Sequence, residues 1–511
     1  MPQHLNIDNE RVFDKNKEKF DEITDEVKSS VAVPSRAYNQ MLDDSEWLLV
    51  QDLLGGTRAM RDAAQRYLPQ EKAENNTDYS KRLLRSFLFE GFNDNIDKLA
   101  AKPFARDVTI KGGDLPEQLQ DIQSDVDGTG KKLTQFGKDL FIAGLKYGMA
   151  HILVDFPTML PGASKEDEQQ AGVRPVFVQI DPPDLIGWRI GDDGKLDQIR
   201  IQEKVLMPHG LFGELEVRRV RVFTKEIWQV WVEAIDSDGK KQWQLLDEDI
   251  HSFGEVPLYT YYAKQTGALI ARSPILGMAL LNQEHWVSAS DQANILHFSR
   301  IPFIFGSGLT ADEVKDGFTL AANRSWLTEN EAARVAYVEL EGKSIEAGQR
   351  SIDKLEEKMA VMGMQPLQEN KNRTTATEKI ISESKVQSSI QMWIRALEAT
   401  MELVYKKSAQ FMNLEIPEDF AVDIFNDFGV TFSTDEDLRN LGELRKDGEI
   451  TQKTHLNEYK RRSTLAEDVD IDKEIEETKK EKLQVTGITN LDDPNKQLQQ
   501  SAVVTTGVER T

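Results

Sequence analysis

Hydrophobic residues in the first third of the chain recur at steps of three and four, a spacing typical of helices that bury one face. The predicted helices span 44–66, 79–100 and 130–148. Gly55 and Gly56 interrupt the first of these helices, and Pro103 ends the second. Residues 1–44 are rich in charge with only scattered hydrophobic residues, so we expect them to form an N-terminal arm.

The hydrophobic period changes to two after residue 149, which predicts a series of short strands. The predicted strands span 150–157, 174–180, 198–202, 217–223, 227–234 and 241–246. Turn-forming residues separate the runs, as at 192–194 and 236–240. We therefore expect a mostly antiparallel meander flanked by helices, and an α+β fold class.

Long helices dominate the second half of the chain. Ser273 and Pro274 are typical of a helix start, and they predict a helix over 273–300. A second helix is predicted over 344–363. Two strand pieces are predicted between them, over 301–314 and 333–342. Because these helices bracket 301–343, the ends of that segment must lie near each other. A helical hairpin with a small domain at its tip is one interpretation, and an ordinary helical bundle is the other.

A third and longer helix is predicted over 376–413, about 57 Å at 1.5 Å per residue. A capping box over 375–378 marks its start. Residues 382–389 are almost entirely polar, whereas an apolar stripe begins at Ile390. We therefore predict that its first half is solvated and that its second half packs against the protein. A strand is predicted over 421–425.

The composition narrows the class of protein. The chain has 511 residues, a formal net charge of -24 and no cysteine. The absence of cysteine excludes disulfide scaffolds and thiolate chemistry, and it fits a reducing compartment. The acidic balance argues against a protein that grips phosphate backbones, although DNA could still slide past such a surface. The chain shows no long apolar run and no signal-peptide pattern, so we expect no membrane contact.

Several short motifs suggest chemistry but fail on spacing. Residues 125–130 resemble the start of a calcium loop, yet Phe136 occupies the position that requires a glutamate, so we predict an Asp/Gly-rich turn before a helix. Residues 342–344 resemble the end of a phosphate loop, but Tyr337 stands where its first glycine belongs. The seven histidines form no metal-binding pair. We therefore expect no cofactor, no metal and no catalytic residues.

Five blocks of the chain occur in an order that resembles the portal proteins of tailed double-stranded DNA bacteriophages. More closely, the chain resembles a portal family formerly catalogued as a domain of unknown function. The resemblance covers roughly 45–480, and its blocks are 52–69, 79–104, 125–157, 174–190, and GEVPLYTYYA followed by SPILGMALLNQEHWVSASDQANILHFSRIPFIF. No single motif is diagnostic, but the ordered set is specific.

The resemblance implies a phage-portal architecture, with a helix-rich wing containing an antiparallel sheet, a two-helix stem, a small α/β clip, a long channel-lining helix and a helical crown. By position, the implied parts are an N-terminal arm (1–44), wing (45–272), first stem helix (273–300), clip (301–343), second stem helix (344–363), tunnel loop (364–375), long channel helix (376–414), wing return (415–433), crown (434–480) and flexible tail (481–511).

The resemblance also implies partners and site residues. We expect a dodecameric homo-oligomeric ring at one capsid vertex of the virion, assembled in the host cytoplasm, with double-stranded DNA, the terminase large subunit, adaptor proteins and the major capsid protein as partners. The DNA-channel candidates are Gln368, Asn370, Lys371, Asn372, Arg373, Lys379 and Lys385. The stem or oligomer-interface candidates are Trp286, Ala289, Ala293, Leu296, Leu355 and Met359. The clip candidates for docking of terminase or adaptor are Phe303, Phe305, Asn323, Arg324 and Trp326.

Two alternative functions remain open on sequence. One is a metal-dependent hydrolase with a site built from distant carboxylates in the 150–260 sheet. The other is a different virion component, such as an adaptor or capsid protein. A hairpin with an inserted small domain, followed by a long half-polar helix, is difficult to reconcile with a capsid shell subunit.

Overall fold

The chain divides into two compact units, Met1–Asn426 and Asp427–Thr511. In the computed structural model, the described residues are 25–113, 115–155, 174–235, 240–251, 253–300, 303–309, 330–338, 342–362, 376–426, 435–461, 465 and 469–485. The predicted crown, 434–480, falls in the second unit.

Helices form the first part of the larger unit. They are α1 (Asp25–Ser30), α2 (Arg36–Ser45), α3 (Trp47–Leu54), α4 (Gly56–Ala63), α5 (Asn76–Arg85), α6 (Gly91–Ala101), α7 (Glu117–Gln120) and α8 (Leu133–Tyr147). The last of these is the central one, because Phe136, Leu140 and Phe141 on it are fully buried. Gly148 ends α8 at a φ of 86°, and the carbonyl oxygen of Arg272 lies where a Cβ atom would be. Only glycine fits both conditions.

Two of the predicted helices contain a break that was not predicted. The first breaks at Glu46, whose φ of 57° is left-handed, and the interruption predicted at Gly55 is also present. The second breaks after Arg85, because the backbone of the next residues bonds to other elements. Leu88 N–H donates to Thr57 Oγ1 at 3.1 Å, so tertiary hydrogen bonds replace the helical ones.

A three-stranded antiparallel sheet packs against α8. Its strands are β2 (Met149–Asp155), β3 (Val176–Ile180) and β9 (Leu258–Tyr262), in the order β3-β2-β9. The sequence analysis missed β9. Since Leu258, Tyr259 and Tyr261 are all buried, this strand lacks the alternation of a half-exposed strand.

The predicted meander is confirmed as a five-stranded antiparallel sheet. Its strands are β4 (Leu185–Ile190), β5 (Leu196–His209), β6 (Gly213–Thr224), β7 (Ile227–Ile235) and β8 (Lys241–Ile250), paired in chain order. Strand β4 was also missed, and its middle residue, Gly187, lies under the Arg200 guanidinium. Both sheets contribute to one apolar cluster that includes Leu153, Ile199 and Phe223.

Smaller strands and the long helices complete the first unit. They are β1 (Thr109–Lys111), β10 (Gln265–Gly267), β11 (Ile270–Ala271), α9 (Leu276–Ser299), β12 (Phe303–Ser307), β13 (Arg334–Val338), α10 (Gly342–Met362), α11 (Ala376–Met412) and β14 (Ala421–Asp423). Strand β14 pairs antiparallel with β1, and β10 pairs with β11. The second unit contains α12 (Asp435–Lys446), α13 (Gln452–Arg461) and α14 (Ile471–Val485).

Candidate functional site

The two helices α9 and α10 form an antiparallel pair. Near one end, Gln292 Nε2 donates to the Ile345 carbonyl at 2.9 Å. Further along, His285 Nε2 lies 3.2 Å from Glu356 Oε1. At the other end, Gly277 on α9 faces the methyl group of Met362 on α10. The start of α9 therefore lies beside the end of α10, as predicted for a helical hairpin.

The start of α9 differs slightly from the prediction. The helix begins at Leu276, and Ile275 rather than Ser273 occupies the N-cap position. The Ser273 hydroxyl donates to the Leu145 carbonyl at 2.7 Å and accepts from Ile275 N–H at 3.2 Å. The serine therefore joins the helix start to α8, and this tertiary contact delays the first helical turn.

Polar side chains fasten one flank of α9 to the segment that joins α5 to α6. Asn282, which is fully buried, donates to the Phe89 carbonyl at 2.9 Å and accepts from Phe92 N–H at 2.8 Å. Ser290 Oγ accepts from Ser86 Oγ at 2.7 Å, and Asn294 is bonded by Arg85 at 2.6 Å. These anchors were not predicted from the sequence. Nothing local distinguishes them, because α9 carries other polar residues as well, such as Gln283, Glu284 and Asp291.

The strands β12 and β13 lie in the chain between the two helices. They pair antiparallel, with Phe303 opposite Val338 and Ser307 opposite Arg334. Asn330 Nδ2 donates to the Gly308 carbonyl at 2.7 Å, which ties the segment before β13 to the end of β12. This hairpin confirms the two strand pieces predicted inside 301–343.

The structure describes only two of the five clip candidates. Phe305 lies on β12 and is about half exposed, at 53%. Phe303 begins the same strand, and its side chain is outside the described set. Asn323, Arg324 and Trp326 lie outside the described residues. Their docking role stays a prediction.

The stem candidates separate into two groups. Trp286, Leu355 and Met359 are buried within a single chain, where they hold the helix pair against its own unit. Buried side chains cannot contact a neighbouring subunit, so a direct interface role is restricted to the half-exposed Ala289, Ala293 and Leu296. That narrower role stays a prediction.

The long helix α11 follows the pair. From Ile390 onward it buries a continuous stripe, which confirms the predicted packing of its second half. The stripe consists of Ile390, Trp393, Ile394, Leu397, Met401, Val404, Tyr405 and Ala409. Beside the stripe, Glu398 accepts from Ile424 N–H at 2.9 Å and Glu402 from Val422 N–H at 3.2 Å. The pKa of Glu398 is raised above its usual value, because burial disfavours the charged carboxylate more than the hydrogen bond from Ile424 N–H favours it.

The predicted DNA-channel residues fall where the structure gives no side-chain description. Gln368, Asn370, Lys371, Asn372 and Arg373 lie outside the described residues, together with the rest of the predicted tunnel loop. Lys379 and Lys385 lie on the described backbone of α11, in its polar first half, but their side chains are outside the described set.

The predicted turn at 125–130 forms as an aspartate-rich turn. Asp127 Oδ1 accepts from Thr129 N–H at 2.9 Å, and Asp125 Oδ1 accepts from Gly130 N–H at 2.7 Å. Arg174 occupies the other oxygen of Asp125 at 2.8 Å. Both carboxylates therefore accept hydrogen bonds from the backbone, and Asp125 also pairs with the Arg174 guanidinium.

The sheet carboxylates also pair with arginine. Glu203 accepts from Arg219 at 2.8 Å and from Arg221 at 3.0 Å, and Asp155 accepts from Arg221 at 2.8 Å. In the part of the chain that the structure describes, no three His, Asp or Glu side chains lie close enough together to hold a metal ion. No observation among these residues favours the hydrolase alternative. None of the described helices combines the length and hydrophobicity that crossing a bilayer requires.

Comparisons with known proteins find a match over the same elements. A family model described as a domain of unknown function, DUF4055, matches residues 274–412. No curated protein sequence is significantly similar to the chain. The matched range contains α9, the β12–β13 hairpin, α10 and α11, which are the elements of the candidate site.

Three solved structures share a distant likeness at 10% identity. A chain from the virion of a native gene transfer agent (GTA) particle has a TM-score of 0.40, covering 80% of this chain and 98% of that one. A chain from the neck of an empty GTA particle, computed with C6 symmetry, has a TM-score of 0.42, covering 72% and 89%. A chain from the neck of a native GTA particle, computed with C12 symmetry, has a TM-score of 0.37, covering 71% and 88%.

Proposed function

We propose that this chain is the subunit of a portal ring, a structural component of a phage-like virion at one capsid vertex. The ring is a dodecamer with a central channel for double-stranded DNA. The observation that carries the proposal is the antiparallel α9–α10 pair with a β hairpin inserted between its helices, followed directly by the 37-residue helix α11. This arrangement supports the proposal because the resemblance to portal proteins implies a two-helix stem, a clip between its helices and a long channel helix in the same order.

Each element has a mechanical role in this proposal. The α9–α10 pair is a stem held rigid by the buried Trp286, Leu355 and Met359. The β12–β13 hairpin belongs to the clip, on which the terminase motor docks during packaging and adaptor proteins dock afterwards. The chain itself performs no catalysis, because the motor supplies the energy. The outer surface of the ring contacts the major capsid protein.

DNA contacts in this proposal are brief and unspecific for sequence. Lys371 and Arg373 meet passing phosphates from the tunnel loop, and Gln368, Asn370 and Asn372 add neutral hydrogen bonds. Lys379 and Lys385 follow on the polar half of α11. The overall acidity of the chain, at a net charge of -24, repels DNA elsewhere and prevents it from adhering.

The ring is tested by native mass spectrometry and negative-stain electron microscopy of the purified full-length chain. We expect closed rings with a central hole, because the proposal requires them. A protein that stays monomeric across protein and salt concentrations contradicts the proposal. Rings without a hole wide enough for duplex DNA contradict the channel role.

The loop contacts are tested in particles that package DNA. The variant Lys371→Ala with Arg373→Ala should change packaging rate or packaged length, because it removes both loop cations. The matched control is Lys72→Ala with Lys98→Ala, which removes two exposed cations from the helical part of the same unit. If the loop variant and the control package alike, the loop has no such role.

A further inference from the structure

The chain leaves the first unit through a short extended segment that lies along α11. Strand β14 begins this segment, and the second unit starts after Asn426. Along one edge, β14 pairs antiparallel with β1, where Ile110 lies opposite Val422. No second strand pairs with β14 in the described part of the chain. Since successive backbone N–H groups of a strand point to opposite edges, every second N–H of the segment needs a partner other than β1.

Two glutamates of α11 supply these partners in place of a second strand. Glu402 accepts from Val422 N–H at 3.2 Å, and Glu398 accepts from Ile424 N–H at 2.9 Å. Val422 and Ile424 are only 3% and 1% exposed, so water does not reach their backbone to replace these bonds. The two carboxylates therefore hold the unpaired edge of β14 on the helix.

The spacing of the glutamates on α11 matches the spacing of the segment. Four residues of a helix rise about 6.0 Å, and two residues of a strand rise about 6.6 Å. A third contact continues the series, because Gln391 Nε2 donates to the Asn426 carbonyl at 2.9 Å. Alternate residues 422, 424 and 426 are thus fastened to one face of α11. We call the three side chains that fasten them the clasp, which consists of Gln391, Glu398 and Glu402.

The clasp brings its two carboxylates close to a third one. Asp423 lies between the two bonded residues of the segment and pairs with Lys111 on β1 at 2.7 Å. Lys406 lies 3.9 Å from Glu402 on the same helix. The charged groups that act on Glu398 are therefore two like charges, Glu402 and Asp423, and one opposite charge, Lys111, which already pairs with Asp423.

This environment makes proton binding at Glu398 depend on whether the segment is attached. Burial and the two like charges raise the pKa of Glu398 above its ordinary value of 4.5, although the bond from Ile424 N–H lowers it. When the segment detaches, Glu398 is exposed to water and its pKa returns toward that ordinary value. The attached state thus binds the proton more tightly, and by linkage a proton on Glu398 favours attachment. This contribution is complete below about pH 4.5 and is lost as the pH rises through the raised pKa.

We propose that the clasp is an acid-sensitive device, which holds the 422–426 segment loosely at neutral pH and closes when Glu398 takes up a proton. A neutral carboxyl group keeps an oxygen that accepts from Ile424 N–H, but it no longer repels Glu402 and Asp423. The last residues of the first unit are then held more firmly on α11. The device belongs to the single chain, so it does not depend on the proposed ring.

Hydrogen exchange of the purified full-length chain tests the clasp, because Ile424 N–H exchanges with solvent only when the segment detaches. Exchange of peptides covering 420–426 is measured by mass spectrometry from pH 7 to pH 5, and each rate is divided by the intrinsic rate at that pH. We expect protection of this segment to rise roughly twofold or more as the pH falls. Protection that stays constant or falls overturns the proposal, and so does an equal rise over the whole chain.

The variant Glu398→Gln isolates the effect of the proton. Glutamine keeps an oxygen that accepts from Ile424 N–H and carries no charge, so it imitates the protonated glutamate at every pH. At pH 7 we expect its segment to be protected roughly twofold or more above the unmodified chain, with no further rise on acidification. Glu418→Gln removes an exposed glutamate just before β14, and as the matched control it should behave like the unmodified chain.

Two further variants separate the acceptor from the charge. Glu398→Ala leaves Ile424 N–H without its acceptor, so protection of the segment should fall below that of the unmodified chain at both pH values. Equal protection in Glu398→Ala and Glu398→Gln would mean that this bond does not hold the segment, and the proposal would fail. Glu402→Gln removes one of the two like charges, so the rise in protection should move to lower pH. A rise at an unchanged pH contradicts the role assigned to repulsion.

Discussion

His151 shows how one buried side chain makes stability depend on pH. It lies in the middle of β2, and its Nδ1 lies 2.9 Å from Thr260 Oγ1 on β9. Burial disfavours the charged ring and lowers the pKa of His151 to about 3. In the unfolded chain the imidazole ring takes up a proton with its ordinary pKa of about 6.5, so the stability that neutral His151 contributes is complete above that pH. That stability is lost as the pH falls from about 6.5 toward 3.

We predict that His151→Gln removes this dependence. Between pH 7 and pH 5, the unfolding free energy of the unmodified chain should fall by about 2 kcal/mol more than that of the variant, because only the former takes up a proton on unfolding. Urea denaturation at both pH values measures the difference. Between pH 7 and pH 8 the gap should stay constant, and a gap that is also constant down to pH 5 contradicts the prediction.

At the scale of single residues, the sequence predicts the helix or strand in which a residue lies, but it does not reveal which residues it contacts. The short apolar run around His151 predicted its strand correctly. Its partner Thr260 is 109 residues further along, on a strand whose alternation is hidden by burial on both faces. Similarly, Asp125 and Asp127 were expected to form a turn, but the bond from Arg174 to Asp125 follows from folding alone.

At the scale of elements, α9 is positioned by directional hydrogen bonds as well as by apolar packing. Asn282 joins the helix to the segment before α6 through Phe89 and to the first turn of α6 through Phe92. Removal of its side chain leaves a backbone N–H and a backbone carbonyl buried without partners, and such groups cost more than an average hydrogen bond contributes.

We therefore predict that Asn282→Ala lowers the unfolding free energy by about 2 kcal/mol or more. Gln283→Ala, one position further along α9 and half exposed, is the matched control and should lie within about 0.5 kcal/mol of the unmodified chain. Urea denaturation followed by circular dichroism measures both variants. Equal stabilities of the two variants would show that Asn282 is not an anchor.

Helices were easier to predict than strands, for a physical reason. The bounds of α10 and α11 follow a 3.6-residue period that continues for several turns, so tertiary contacts shift only their ends. The helix predicted over 44–66 broke at Glu46, where the backbone turns left-handed, and the helix over 79–100 broke before Leu88, whose N–H bonds to Thr57. Strand β4 escaped prediction because Gly187 interrupts its pattern.

At the scale of the whole molecule, charge governs how copies approach one another. Each chain carries a formal net charge of -24, so neighbouring subunits in a ring repel one another over distances that salt screens. Raising the ionic strength from about 0.02 M to 0.3 M shortens the screening length from roughly 20 Å to below 10 Å.

We predict that ring assembly becomes several-fold more favourable over this range of salt. Light scattering or analytical ultracentrifugation at fixed protein concentration measures the assembled fraction. Sucrose at matched osmolarity, which adds no ions, should leave that fraction nearly unchanged. Rings that dissociate as salt rises would mean that attractive ion pairs, rather than net repulsion, control assembly.

The order of elements over the whole chain carried more information than any single motif. The hairpin over 273–363 was one of the two interpretations that the sequence left open, and the packing of the second half of the helix after it was predicted from its periodic apolar stripe. The ribbon of β5 and β6 was predicted only over 198–202 and 217–223, since its distal part has no core beneath it and its pattern weakens. The proposed DNA contacts at Lys371 and Arg373 still rest on sequence.

The polar anchors of α9 have a further consequence when force acts along the helix. A purely apolar contact can slip by one turn, about 5.4 Å, and recover most of its burial. Asn282 pairs with two partners on the α5–α6 side, and Ser290 and Asn294 with one each, over about 18 Å of helix. An axial load therefore strains all four bonds together instead of breaking them in sequence. We therefore expect α9 to resist sliding along its axis relative to α5 and α6, so that a force applied at one end of the helix reaches the other end.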